Sequence, residues 1–179
     1  EQIMALKLMY ITNSPDIAKI CDKAGVDRVF IDLEIVGKAQ RQGFMDTVIS
    51  SHEIIDIDRV KSVLTTSGVL VRVNPIYHGS TEEIERVAQS NADIVMLPYF
   101  SSVEEVKTFL SLLNGRKKAC LLFETPASVA KADEILALGG IDEAFIGLND
   151  LHLGYGRKFM FELLSDGTVE NLCRKFKSR

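Results

Sequence analysis

Short apolar runs recur along the chain at intervals that suit strands, and between them apolar residues return every three or four positions, as helices require. Leu6 to Ile11 reads as a first strand, turned by Asn13-Ser14-Pro15-Asp16 into a helix with Ser14 as N-cap and Pro15 in its first turn. Ile17, Ile20 and Cys21 form the buried stripe of that helix, and Gly25 closes it. Strands are predicted over Arg28 to Leu33, Val69 to Val73 and Asp93 to Leu97, the last stopped by Pro98. Helices are predicted over Ile57 to Thr65, Thr81 to Ser90 and Ser102 to Leu113, the last opened by the capping signal S-V-E-E. Gly37 to Ser51 is polar and mixed, and reads as a loop. The runs A-C-L-L-F-E-T-P and E-A-F-I-G-L-N-D-L flank a helical segment, Ala127 to Leu138, and have the continuous apolar character of strands buried on both faces. Phe159 to Phe176 is the last helical region.

Strand and helix therefore alternate six times, with nothing that behaves as a linker or second domain, so residues 1–179 are expected to form one domain. Such alternation suits a doubly wound sheet or a TIM barrel. A nucleotide-binding sheet should carry G-x-G-x-x-G after its first strand, and the chain has none. Polar residues instead recur at strand ends: Glu34, Arg72, Asn74, Glu124 and Asp150. Chemistry spread over many strand ends is the habit of the α/β barrel. The fold expected is a TIM (β/α)8-type barrel of which this chain supplies about six βα units, its last strands missing by truncation or disorder.

Glu124 and Asp150 end the two apolar runs. Right-handed crossovers make those strands parallel, so both carboxylates project from one end of the sheet. Two anions held close repel each other unless a cation lies between them, and oxygen ligands suit Mg²⁺ or Mn²⁺, with water and substrate in the remaining positions. The alternative is two unrelated carboxylates that cap the helices following them.

Composition narrows the class. With 179 residues, 46% hydrophobic and 26% charged, the chain is long enough to bury a sizeable core. A net charge of −4 argues against nucleic acid, and no apolar stretch approaches a membrane span or a signal peptide. Cys21, Cys120 and Cys173 are odd in number and lack C-x-x-C pairing, which suits reduced thiols and a cytoplasmic location. The first residue is Glu1, so the natural start is expected to lie upstream.

The runs G-V-D-R-V-F-I-D-L-E (Gly25 to Glu34), V-R-V-N (Val71 to Asn74), I-V-M-L-P (Ile94 to Pro98), F-E-T-P (Phe123 to Pro126) and G-L-N-D-L (Gly147 to Leu151) resemble, in order and spacing, the HpcH/HpaI aldolase and citrate lyase β-subunit family of the phosphoenolpyruvate/pyruvate barrel superfamily. The resemblance covers nearly the whole chain and places strands seven and eight beyond Arg179. It implies carbon–carbon bond cleavage or formation next to a carbonyl, through an enolate stabilised by a divalent metal. It matches Glu124 and Asp150 to the metal carboxylates and Arg72 to the arginine that holds the keto-acid or acyl oxygen. An arginine suits that task because its charge is fixed and its donors are forked. The other reading of Arg72 is a structural salt bridge to Glu34 or Asp32. Glu34 and Asn74 are further substrate-binding candidates. The resemblance also implies a homo-oligomer, a trimer or a hexamer built from trimers.

The chain departs from the family at the proton-transfer position. The aldolases carry a histidine directly after D-x-E, where this chain has Ile35, and tend to carry a glutamine where it has Leu122. The citrate lyase-like branch has a downstream lysine and arginine, with Lys38 and Arg41 roughly in their place. His152, two residues after Asp150, is the candidate catalytic replacement base or ligand-orienting group; otherwise it is a loop histidine with a structural hydrogen bond. His52, His78, Tyr77 and Tyr99 also follow strand ends, and Arg157 or Lys158 could meet an anionic substrate. Two functions stay open. One is a metal-dependent lyase acting on a 2-oxo acid or acyl thioester. The other is an altered relative that binds an oxo acid or sugar-acid metabolite without aldol cleavage.

Overall fold

Six strands run parallel in one sheet in the order β1-β2-β3-β4-β5-β6. They are β1 (Met9–Ile11), β2 (Arg28–Asp32), β3 (Gly68–Arg72), β4 (Ile94–Leu97), β5 (Lys118–Phe123) and β6 (Glu143–Ile146) in a computed structural model that describes residues 6–36 and 51–178. The helices are α1 (Pro15–Lys23), α2 (Ile54–Lys61), α3 (Ser80–Gln89), α4 (Val103–Leu113), α5 (Pro126–Ala130), α6 (Ala132–Leu136), α7 (Leu148–Gly154), α8 (Glu162–Ser165) and α9 (Thr168–Lys177). Sequential parallel order is what repeated right-handed βα crossovers build into a barrel wall, whereas a doubly wound sheet reverses its order midway.

One ion pair reveals the curl of that wall. Arg28 on β2 and Glu143 on β6 meet through both guanidinium arms, although three strands lie between them in the sheet. In a flat sheet the same residues would stand four strand spacings apart, roughly 19 Å. The sheet is therefore a curled half-barrel, a partial TIM-type barrel, with the pair spanning the N-terminal end of its concave face.

Period-two alternation sorts every strand onto two faces. Val29, Ile31, Val69, Val71, Val95, Leu97, Leu121 and Phe123 join the helices in the main core. Phe30, Leu70, Ile94, Met96, Cys120 and Leu122 form a second cluster inside the curl. Two residues beyond Phe30, Leu70 and Leu122 come Asp32, Arg72 and Glu124, so the same alternation delivers them to the concave side at the C-terminal rim. The helices anchor this scaffold: Phe109 of α4 is fully buried in the main core. Phe109→Ala is expected to cost about 3–5 kcal/mol, measurable as a lower urea midpoint at unchanged slope.

Several boundaries differ from the sequence expectation. β6 is half-open, with Phe145 42% exposed, because it pairs only with β5 and has nothing beyond it among the described residues. The predicted helix from Ala127 to Leu138 is two short ones, α5 and α6, hinged at Lys131. Thr125 caps α5, accepting from the Ser128 N–H at 3.0 Å. The last helical region breaks at Gly167, whose φ of +84° ends α8 and starts α9. Helix α2 starts three residues before the predicted Ile57, because Asp56 Oδ2 accepts the Glu53 N–H at 2.9 Å and the Asn13 amide at 3.1 Å. Lys38, Arg41 and residues 37–50 of the expected loop lie outside the described residues.

Among the described residues no helix is long and apolar enough to cross a membrane. The three cysteines are free. Burial, with Glu143 nearby, pushes the Cys120 thiol up to about 12, which leaves it an inert core residue.

Candidate functional site

Asp32 and Arg72 are register partners at the ends of β2 and β3. Their side chains form a fork, Nε to Oδ1 and Nη2 to Oδ2, both at 2.9 Å. Arg72 Nη1 also lies 3.3 Å from Glu34 Oε2, and the guanidinium sits over the Phe30 ring at 5.5 Å. The salt-bridge alternative for Arg72 is thus real geometry, and it is compatible with ligand binding. Two of its five N–H donors are hydrogen-bonded to Asp32, and the Glu34 contact is an ion pair. Burial opposes the charge on Arg72, but the Asp32 hydrogen bonds and the Asp32, Glu34 and Glu124 charges outweigh it and raise the pKa.

Glu124 follows β5 directly and is 4% exposed. Burial, then the charges of Asp150 and Glu34, push its carboxyl up to about 8, against the opposing pull of Arg72 and the Tyr99 N–H. Asp150 does not end a strand as the apolar run suggested. The strand stops at Ile146, Gly147 N-caps α7, and Asp150 sits in the first helical turn, where the helix dipole favours an anion. The two carboxylates still come together: both line a cleft of about 270 Å³ with Tyr99, Thr125, Pro126 and Gly154.

Among the described residues the rim gathers four carboxylates, Asp32, Glu34, Glu124 and Asp150, and one guanidinium, that of Arg72. Glu124 and Asp150 share a cleft, where a cation would relieve the repulsion between them. The donors that could hold one are Glu124 and Asp150. Among the described residues no three His, Cys, Asp or Glu side chains form a metal cage. A two-carboxylate arrangement fits Mg²⁺, which keeps several positions for water and substrate.

Asn74 is a brace. Its Oδ1 accepts from Ile35 N and Val36 N at 2.8 Å each, and its Nδ2 donates to Glu83 Oε1 at 2.9 Å and Leu33 O at 3.3 Å. Both ends of the amide hold the loop that carries Glu34. His152 is 8% exposed, its Nδ1 lies 3.2 Å from the Leu148 carbonyl one turn earlier, and it is outside the lining of the carboxylate cleft. His52 Nδ1 accepts the Asp32 N–H at 2.9 Å, so the neutral ring carries its proton on Nε2. A separate cleft of about 520 Å³, lined by His52, Asn74, Tyr77, Glu83 and Arg86, lies beside the Asn74 brace and includes none of Arg72, Glu124 or Asp150.

Two contributors escaped the sequence reading: Tyr99 through its backbone N–H, and Gly147 as the close neighbour of Glu124. Asp32 was legible as a partner of Arg72, because its place on the strand puts it on the same face. Nothing in a one-dimensional pattern marks the other two.

The chain matches the family described as HpcH/HpaI aldolase/citrate lyase over residues 7–160. No curated protein sequence matches it. Among solved structures it is similar to an HpcH/HpaI aldolase from Desulfitobacterium hafniense DCB-2, at 17% identity and a TM-score of 0.74, covering 96% of this chain and 74% of that one. The citrate synthase SbnG aligns at 15% identity with a TM-score of 0.75, covering 96% and 73%. Macrophomate synthase aligns at 16% with a TM-score of 0.66, covering 96% and 66%. At these identities the likeness is one of fold, and it agrees with the partial barrel described above. With 154 consecutive residues matched, the chain belongs to the HpcH/HpaI aldolase/citrate lyase family.

Proposed function

We propose that this protein is a divalent-metal-dependent carbon–carbon lyase acting on a 2-oxo acid or acyl thioester. Family membership supports the lyase kind. The observation that carries the finer reading is the convergence of Glu124 and Asp150 on one cleft, with Arg72 close enough to act electrostatically on Glu124. A Mg²⁺ or Mn²⁺ ion held by the two carboxylates would draw off the negative charge that builds on the substrate's carbonyl oxygen as the carbon–carbon bond breaks. Arg72 supplies a second, fixed positive charge, and the N–H donors that Asp32 does not use are available to a carboxylate or enolate oxygen. Asp32 and Glu34 hold the guanidinium, and Asn74 holds the loop that carries Glu34. His152 remains the candidate for proton transfer, with its Nδ1 against the Leu148 carbonyl.

Oxaloacetate decarboxylation tests the reading directly. Pyruvate should form when Mg²⁺ or Mn²⁺ is added and stop with a chelator. No turnover with either metal, despite bound pyruvate or oxalate, would favour the binding relative instead. One observation gives that second reading weight: Ile35, in the family's histidine position, is 65% exposed and chemically inert. A positioned acid/base contributes about 10²–10⁴ in rate. Ile35 N is already fixed by Asn74, so Ile35→His is expected to raise retro-aldol turnover of small hydroxy-oxo acids by up to about 10²-fold. An unchanged rate in a steady-state assay would assign proton transfer elsewhere.

The chain is further proposed to assemble as a trimer, or as a hexamer built from two trimers, in the cytoplasm. Exposed Ile20, Phe159, Phe161 and Leu164 support association, since isolated soluble proteins seldom show many large apolar side chains. Light scattering at micromolar concentration should give a mass of three or six chains, and a clean monomer would contradict the assembly.

A further inference from the structure

We propose that the left-handed turn at Tyr99 and the bare Cα of Gly147 form a two-sided clamp that fixes which oxygen of Glu124 faces the cleft. The inference rests on the reading of Glu124 as a cation-binding carboxylate.

The turn is imposed from both sides. Leu97 and Phe100 are both fully buried, with Pro98 and Tyr99 between them. Phe100 packs edge-on against Phe123 at 5.1 Å, and its carbonyl accepts the Thr125 hydroxyl at 2.8 Å. A chain pinned at both ends must reverse within two residues. Tyr99 does so at φ +49°, a region that residues other than glycine seldom enter. Strain of this kind persists where the surroundings over-determine it, and it gathers at functional sites. Here it aims the Tyr99 N–H at Glu124 Oε1, 2.9 Å away.

Gly147 closes the other side. Phe123 and Ile146 are register partners, so Glu124 and Gly147 form the next pair, and the Gly147 N–H donates to the Phe123 carbonyl at 3.0 Å. A Cβ at position 147 would lie 2.7 Å from Glu124 Cβ and 2.7 Å from Glu124 Oε2. The Cβ clash cannot be relieved by swinging the carboxylate, because it involves the root of the side chain. One carboxylate oxygen is thus taken by an amide, and the other packs against Gly147, the N-cap of the helix that carries Asp150. The last torsion of a glutamate is ordinarily soft and two-fold. The clamp removes that freedom, so the ligand oxygen is ordered before any ion arrives.

The test is Mn²⁺ affinity of the full chain, measured by titration calorimetry, with circular dichroism and melting temperature as the check on folding. The wild type is expected to bind. Gly147→Ala is expected to weaken binding by about 10–100-fold, the usual cost of disturbing a group that orients a metal ligand. Because an added methyl can also unfold the rim, a series at position 99 decides independently. Glycine enters the left-handed region freely and β-branched residues hardly at all. Tyr99→Gly is therefore expected to bind Mn²⁺ about tenfold or more tightly than Tyr99→Val. Equal affinity in the two variants, or the reverse order, overturns the clamp. A folded wild type that binds no Mn²⁺ overturns the cation reading of Glu124 and the clamp with it.

Discussion

Glu124→Ala and Asp150→Ala are each expected to abolish divalent-cation-dependent turnover while the protein stays folded. Each variant removes half of the donor pair, and the remaining carboxylate binds Mg²⁺ too weakly to hold it against water. Among the described residues neither side chain forms a salt bridge whose loss would unfold the rim, and Glu124 is itself a source of repulsion there. The repulsion gives this prediction a second, independent readout. In the cation-free protein the Glu124 carboxyl is raised from 4.5 to about 8, so the folded state holds that proton more tightly than the unfolded chain does. The stability this contributes is fully present below the unfolded value of 4.5 and is lost as pH rises through about 8. The melting temperature of the apo-protein should therefore fall across this window, and Glu124→Gln should flatten the slope. Added Mn²⁺ should oppose the fall, because binding must displace the same proton, so affinity rises by about tenfold per pH unit until the carboxyl is ionised. A melting temperature independent of pH over the window, or full activity in either alanine variant, would contradict the assignment.

Arg72→Lys is expected to lose about 10²–10³ in kcat, the scale of removing a preorganised donor from a developing oxyanion. Lysine keeps the charge but not the fork. One ammonium cannot face Asp32 through two parallel bonds, reach Glu34 and still present donors to substrate. Asp32 is 1% exposed, so a poorly matched partner also leaves a buried carboxylate underpaired, and some stability goes too. The two effects separate by measurement. A variant that melts lower but retains kcat would make Arg72 a structural ion pair alone. A variant that melts near the wild type and loses kcat would place it in the chemistry. Asp32→Asn should lie between the two, since an amide can accept one arginine bond but cannot answer the charge.

The role of Asn74 illustrates what a strand-end position can and cannot reveal. Its place after β3 suggested contact with substrate, and its amide is instead used on both ends by the Glu34 loop and Glu83. Burial holds the Glu83 carboxyl above its usual range, against the two Asn74 donors. A residue can thus serve the site by holding the loop that carries Glu34 in place. His152 is a similar case. Proximity to Asp150 in the chain made it a candidate base, and the helical turn through Asp150 gave its ring a carbonyl four residues back.

Features that depend on near neighbours in the chain were legible without coordinates. The continuous apolar runs that end in V-L-V-R and L-L-F-E predicted strands and put Arg72 and Glu124 at their ends, while Ser14, Ser102 and Pro15 marked helix starts that the fold keeps. Repeated βα units implied parallel strands with a common C-terminal rim, so the gathering of Asp32, Glu34, Arg72 and Glu124 at one end follows from alternation alone. Whatever depends on residues far apart in sequence needed the tertiary structure. The curl brings Arg28 and Glu143 together across 115 positions, and the orientation of Arg72 depends on Asp32, 40 positions earlier. Asp150 reaches the cleft from a helix because Gly147 stops the strand one register step past Ile146, where Glu124 leaves no room for a side chain. The left-handed turn at Tyr99 has the same origin. No local propensity favours it, and it exists because Leu97 and Phe100 are each locked into the main core by residues from other strands and helices. Local free-energy preferences decide which segments become strands and helices, whereas the direction in which a rim side chain points is decided by packing between them, which no single segment encodes.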